Sequence, residues 1–220
     1  DASLKVKAGD FIIVDGTDGE VIINPSQAIK REFNSKKERY QNYKKELKKI
    51  ARLKSLTLDG VDFIPLANIE LPEEVDTAFS FGAEGVGLFR SEFIYLRRPT
   101  LPSEEDHLSI YRQMARKTYP RPVYIRTIDI GGEKSLPWLN IEKEPNPALG
   151  LRAIRFSLRN RELFRTQIRA ILKASDRHNV RLMVPMITEL EEVVELKTMV
   201  EEVKDELRQN KIPFDEEIPI

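Results

Sequence analysis

Residues 180–208 read VRLMVPMITELEEVVELKTMVEEVKDELR. The run Val180–Ile187 is nearly all apolar and does not alternate with polar residues. That pattern is expected of a strand buried on both faces of a parallel sheet. Thr188 with Glu191 then fits a T-x-x-E capping box, and Glu189–Arg208 carries apolar residues at helical spacing. The same strand-then-helix unit recurs upstream. Val61–Ile69 precedes Glu73–Phe81, Val86–Phe89 precedes Glu104–Lys117, and Val123–Ile130 precedes Arg161–Arg177. Ser103, with Asp106 three residues on, marks another helix start. Alternation of this kind predicts a parallel sheet with covering helices. Four such units make half of a (β/α)8 barrel or a small open sheet, and periodicity does not choose between them.

Before residue 59 the pattern differs. Phe11–Val14 and Val21–Ile23 are short β-branched runs joined through Asp15-Gly16-Thr17-Asp18-Gly19, which predicts a hairpin. Ile29, Phe33, Tyr40, Tyr43, Leu47, Ile50 and Leu53 then line one stripe of a long helix. Residues 30–54 hold eleven Lys/Arg against three Glu, whereas Glu189–Arg208 holds eight acidic against three basic residues. With no aromatic interleaving its basic face, the first helix reads as a solvated linker helix rather than a nucleic-acid surface. The acidic residues of the last helix read likewise as a solvated face. The expected organisation is 1–28, a hairpin remnant; 29–58, a linker helix; and 59–220, the βα units.

Across 220 residues Lys+Arg and Asp+Glu are both 36, so the balance is neutral and a nucleic-acid partner is not expected. There is no cysteine, which excludes disulfides, thiolate metal sites and a cysteine nucleophile within this chain. The start DASLKVKAGD has no apolar signal-peptide core, and no run approaches a membrane span. A cytoplasmic chain with no membrane insertion is expected.

Function in parallel α/β folds collects at the carboxyl ends of strands. Two of the four apolar runs reach arginine there: Arg90 after Gly87-Leu88-Phe89, and Arg126 after Val123-Tyr124-Ile125. A cation in that position needs an anion. For one arginine alone, an ion pair with Glu92 or Asp129 suffices. Two at equivalent positions point to a shared anionic ligand, because the guanidinium fork matches phosphate or carboxylate oxygens. Gly131-Gly132-Glu133-Lys134 offers a backbone nest with a point charge, and Arg152 in Leu149-Gly150-Leu151-Arg152 is a third cation. Gly82-Ala83-Glu84-Gly85-Val86-Gly87 reads as the turn between the first barrel helix and the next strand, since it lacks nucleotide-loop spacing. His107 and His178 read as surface histidines, and Trp138 as a loop packing residue.

Four segments, GAEGVGLFRSEFIYL (82–96), IRTIDIGGEKSLPWLN (125–140), NPALGLRAIRFSLRNRELFRTQIRAILKAS (146–175) and RLMVPMITELEEV (181–193), strongly resemble the enzyme I family of bacterial phosphoenolpyruvate–sugar phosphotransferase systems. KAGDFIIVDGTDGEVIINP (7–25) resembles the end of that family's phosphohistidine domain. Pyruvate-utilising dikinases and synthases share the G-x-x-G-x-G-L-x-R-[TS]-E core, but the DIGGEK and ALGLRAIR segments favour enzyme I. The resemblance implies a half barrel of TIM type. It also implies transfer of phosphoryl from phosphoenolpyruvate to a histidine of the enzyme, then to a histidine-containing phosphocarrier protein. It places Arg90 and Arg126 on the phosphate, with Lys134, Arg152 and Asn68 lining the same pocket. It implies Mg2+ and a homodimer as well. The phosphorylated histidine is expected before residue 1, and the metal ligands and proton-donating cysteine on later strands, so this chain alone is expected to be inactive. A non-catalytic dimerisation module is the rival reading. Two departures from the family pattern are Ser91, where threonine is common, and Glu70, where glycine is usual.

Overall fold

The computed structural model describes residues 4–96, 98–130, 146 and 149–220. The chain divides into two compact units, Asp1–Leu53 and Lys54–Ile220. Among the described residues no helix is long and apolar enough to cross a membrane.

In the first unit, β1 (Ile12–Asp15) pairs antiparallel with β2 (Glu20–Ile23), and Asp15 lies opposite Glu20 across the turn. Asp15 Oδ1 accepts the Thr17 N–H at 2.9 Å and Gly19 takes a φ of +71°, a conformation glycine adopts without cost. Ser26 caps α1 (Gln27–Ile50) by accepting from the Ile29 N–H. The helix stops at residue 50 rather than 54, and none of its residues is buried. Its basic face is not free of aromatics: Lys44 lies 4.8 Å from the Tyr40 ring centre and Lys36 5.5 Å from Phe33.

The second unit contains the predicted sheet, with strands β3 (Ala67–Ile69), β4 (Val86–Arg90), β5 (Val123–Arg126) and β6 (Val180–Met183) in chain order, all parallel. Three strands are shorter than their apolar runs. Residues 61–64 are exposed and Pro65 has no N–H for a ladder, so β3 begins only at Ala67. After Arg126 the Ile128 N–H turns to a side chain, and in the 180–187 run Pro185 and a φ of +63° at Met186 end pairing. Pro219 O accepts the Leu182 N–H at 2.9 Å along the outer edge of β6.

Helices α2 (Glu74–Ser80), α3 (Glu92–Leu96), α4 (Glu104–Thr118), α5 (Ile154–Arg159), α6 (Arg161–Lys173) and α7 (Leu190–Gln209) follow the strands. Val86, Phe89, Val123, Ile125, Val180 and Leu182 point to one sheet face and are buried in the core that also holds Leu108, Met114, Phe164, Ile168, Met199 and Val203 of the helices. Each such side chain contributes roughly 1.5–3 kcal/mol. The opposite face bears Arg90, Tyr124, Arg126, Arg181 and Met183, which are only partly covered.

The predicted box at Ser103 is present, with Ser103 Oγ accepting the Asp106 N–H at 3.3 Å and the Ser103 N–H donating back to Asp106 at 2.8 Å. The second box lies one residue later than expected. Glu189 is the cap, and Glu192 rather than Glu191 accepts from the Thr188 and Glu189 amides. The acidic face of α7 is also not simply solvated. Glu202 and Glu206 meet Arg165, and Glu206 also meets Arg169, whose other partner is Glu104 of α4. The excess of acid on one helix thus answers an excess of arginine on its neighbour. Between α2 and β4 the glycine turn is as read. A Cβ on Gly85 would stand 2.7 Å from Pro122 O, so only glycine lets the chain pass there.

Candidate anion site at the strand ends

Arg90 and Arg126 are the last residues of β4 and β5, and the sheet register makes them direct cross-strand partners. Parallel strands point paired residues to one face, so both guanidinium groups stand on the same rim. Asn68 pairs with Leu88, two residues before Arg90, which puts it on that face one step below. Lys134 and Trp138, with Gly131 and Gly132, lie outside the described residues.

Carboxylates fix the arginines. Arg126 Nη2 donates to Glu92 Oε1 at 2.7 Å, and its Nη1 lies 3.3 Å from Asp129 Oδ2. Glu92, buried in the first turn of α3, also accepts the Asp129 N–H at 3.1 Å. Arg152 grips Asp129 with both sides of its fork, at 2.7 and 3.2 Å, and the contact raises the arginine's already high pKa. Arg90 meets Glu70 at 3.2 Å. The ion pair expected of an isolated arginine is therefore present for Arg126, while Arg152 with Asp129 and Arg90 with Glu70 are pairs that the sequence does not predict. Ala153, with a φ of +50°, turns the chain directly after Arg152 into α5, a strained conformation for a non-glycine residue.

A buried polar chain supports the rim from beneath. Ser91 Oγ donates to Arg126 O at 2.7 Å. Gln167, fully buried on α6, donates to Ser91 Oγ at 3.0 Å and to the Tyr111 hydroxyl at 2.9 Å, and its Oε1 accepts the Ile128 N–H at 3.0 Å. The backbone on both sides of Thr127 is thereby held in place. Ser91 provides the hydroxyl this network needs, as threonine would. Sequence reasoning missed Gln167, although it is the one polar residue in the stripe Phe164, Gln167, Ile168, Ile171.

The network ends at His107, 3.2 Å from the Tyr111 hydroxyl and stacked on that ring. His107 is 1% exposed, which corrects its reading as a surface histidine. Its position on the core stripe of α4 with Leu108, Tyr111 and Met114 is the reason. Burial pushes its pKa down to about 4, so the ring is neutral. His178 is exposed, as expected, with Nδ1 2.9 Å from Asp215.

Several of the polar atoms left buried without a hydrogen-bond partner among the described residues lie at this rim. They include Arg90 Nε, Arg126 Nε, Glu92 Oε2 and Thr127 Oγ1. Such orphans cost about 1–3 kcal/mol each and are few in native structures. No group of three or more His, Asp or Glu suited to a metal occurs among the described residues. Glu92 and Asp129 are engaged by arginines, whose charge opposes a cation, so these residues do not fit a magnesium site.

Residues 44–220 match the family described as PEP-utilising enzyme, PEP-binding domain. The chain is 44% identical over 203 residues to the phosphoenolpyruvate-protein phosphotransferases of Bacillus sp. (strain S) and Geobacillus stearothermophilus, covering 92% of this chain and 35% of each relative. It is 40% identical over 215 residues to that of Priestia megaterium, covering 98% of this chain and 38% of the relative. The chain thus spans little more than a third of the length of these relatives. With the matched region reaching from the end of α1 through the whole parallel sheet and its arginine rim, the chain belongs to the PEP-utilising enzymes, in their PEP-binding domain.

Proposed function

We propose that this chain is the phosphoenolpyruvate-binding portion of a phosphoenolpyruvate-protein phosphotransferase, with Arg90 and Arg126 on the phosphate. The observation that carries this reading is the cross-strand pairing of two arginines at the carboxyl ends of β4 and β5. Lys134, Arg152 and Asn68 complete the proposed pocket. Phosphoryl transfer is mainly positioning and charge neutralisation, which fixed guanidinium groups supply without proton transfer. Here Glu92 and Asp129 orient the forks and the Ser91–Gln167 network fixes the backbone that carries them. Mg2+ in the whole enzyme would neutralise phosphate charge, with ligands other than the residues described here.

The phosphoryl acceptor is a histidine outside this chain. His107 is buried, and His178 precedes β6, at the sheet end opposite the arginines. The chain alone is accordingly inactive. In the whole protein the phosphohistidine passes its group to a histidine-containing carrier, as the family resemblance implies; the relatives' names give the acceptor only as a protein. We further propose that the sheet is half of a β/α barrel, that residues 1–28 close a phosphohistidine domain, that 29–58 link it to the barrel at 59–220, and that the whole enzyme is a cytoplasmic homodimer. The partly covered face bearing Tyr124, Arg181 and Met183 supports the barrel reading. The dikinase and synthase reading is less favoured, because the relatives reported above are protein phosphotransferases.

Calorimetry or ligand-observed NMR with phosphoenolpyruvate tests the site. Two or three charge-assisted contacts in an open site predict a Kd on the order of millimolar. Arg90→Ala is the clean variant, since its ion pair is exposed and its loss spares the fold. Arg126→Lys keeps the charge opposite buried Glu92 but removes the fork. Each should weaken binding by about tenfold or more, and added salt should weaken it further. Binding indifferent to both substitutions would remove these arginines from the site. Pyruvate release by the purified chain would overturn its assignment as inactive alone.

A further inference from the structure

Among the described residues the ion pairs of the rim balance in charge, and Glu74 is a further carboxylate close enough to Arg90 to feel its charge. Arg90, Arg126 and Arg152 face Glu70, Glu92 and Asp129 in the ion pairs described above. A phosphate-bearing anion added to this set meets carboxylates as well as guanidinium groups, so binding is weak unless one carboxylate gives way. The three are not equally free to do so. The side chains of Glu92 and Asp129 are 4% and 8% exposed, and both are tied by further hydrogen bonds. The Glu70 side chain is 51% exposed, and among the described residues its carboxylate pairs with Arg90 alone. Its backbone is held separately, since the Glu70 and Leu71 amides both donate to Glu74, at 2.7 and 2.8 Å. Glu74 is thus committed to those amides, which keep its carboxyl below the usual range, while the Glu70 side chain can swing into solvent without unravelling the β3–α2 turn.

We propose that Glu70 is the exchangeable counter-ion of this site: it occupies Arg90 in the free protein, and the phosphate or carboxylate of the ligand takes its place. This inference rests on the proposed phosphoenolpyruvate site and adds a residue that sets its affinity. Glu70 makes anion binding a competition, so that a ligand offering a multiply charged group displaces it and a weak monoanion does not. The distinction favours phosphorylated acids over simple carboxylates.

The test is a double-mutant cycle on the 220-residue chain, read by calorimetry with phosphoenolpyruvate and, separately, inorganic phosphate. Glu70→Gln should tighten binding about three- to tenfold, the scale expected for removing one like charge and a competing exposed pair. Glu73→Gln makes the same charge change three residues along, at a side chain with no ion pair among the described residues, and should leave affinity within about twofold. In an Arg90→Ala background, Glu70→Gln should bring no gain. Equal effects of the two glutamate variants, or a gain that survives Arg90→Ala, would overturn the exchange. If the parent chain binds phosphoenolpyruvate and Glu70→Gln changes nothing, the counter-ion role fails and the site stands. If neither the parent nor Glu70→Gln binds either anion, the site itself falls and the inference falls with it.

Discussion

Acidification from pH 7.5 to 5 should destabilise the sheet unit by about 2 kcal/mol through one residue, His107. In the unfolded chain this histidine takes up a proton near its ordinary value of 6.5, whereas the folded protein holds it off until about pH 4. Desolvation is the main cause; Asp106 opposes it and Arg98 adds to it. Because the folded pKa is depressed, the stability is fully present above about pH 6.5 and is lost as pH falls toward the folded value. Each pH unit within that window costs about 1.4 kcal/mol. The depressed carboxylates Asp106, Glu104 and Glu206 titrate from 3.8 to 4.5 downward, largely below the window. With a urea m-value of about 2 kcal/mol per M, the unfolding midpoint should drop by roughly 1 M. His107→Phe keeps a ring between Tyr95 and Tyr111 but cannot titrate. It should lose about 1 kcal/mol at pH 7.5, from the missing Tyr111 hydrogen bond, and show a flat midpoint down to pH 5. The two proteins should therefore cross in stability within the window. A wild-type midpoint unchanged between the two pH values, or a variant with the wild-type slope, would refute the reasoning.

Two further substitutions test the local structure by urea denaturation. Gly85→Ala should destabilise by about 1–3 kcal/mol, because the new methyl would stand 2.7 Å from the Pro122 carbonyl oxygen and backbone must shift to admit it. Ser103→Ala should cost about 1 kcal/mol by removing the side-chain acceptor at the start of α4, while Ser103→Gly should cost only a few tenths. For ligand binding, Arg90→Ala and Arg126→Lys should each weaken phosphoenolpyruvate by about tenfold or more, and Glu70→Gln should strengthen it.

Much of this protein was legible in one dimension. Runs such as Val86–Phe89 and Val123–Ile125 between amphipathic stretches announce a parallel sheet, because strands with both faces screened from water lose the strict apolar–polar alternation, although the second face here, with Tyr124 and Arg126, is only partly covered. The hairpin turn and the Ser103 cap follow from local chemistry, where each residue's partner is at most a few positions away, and the placement of Arg90 and Arg126 at strand ends follows from where their apolar runs stop. The family resemblance added what local chemistry does not carry, namely the phosphoryl reaction and the roles proposed for Asn68, Lys134 and Arg152.

Partner identity across long separations was decided only in three dimensions. Gln167 meets Ser91 and Tyr111, 76 and 56 residues away, and nothing in RELFRTQIRAIL names those partners. Glu202 and Glu206 look solvated beside their own neighbours, and only the packing of α6 against α7 gives them Arg165 and Arg169. His107 looks like a surface residue until the helix face it occupies is known to point inward. Glu70 stands out in sequence only as a glutamate where the family has glycine, and its partner is unknown until β3 is laid beside β4 and brings it to Arg90. The physical reason is common to all four. Hydrophobic periodicity determines which face is buried, but the energy of a charge or a buried amide depends on what stands within about 3 Å of it, and chain folding alone sets that distance.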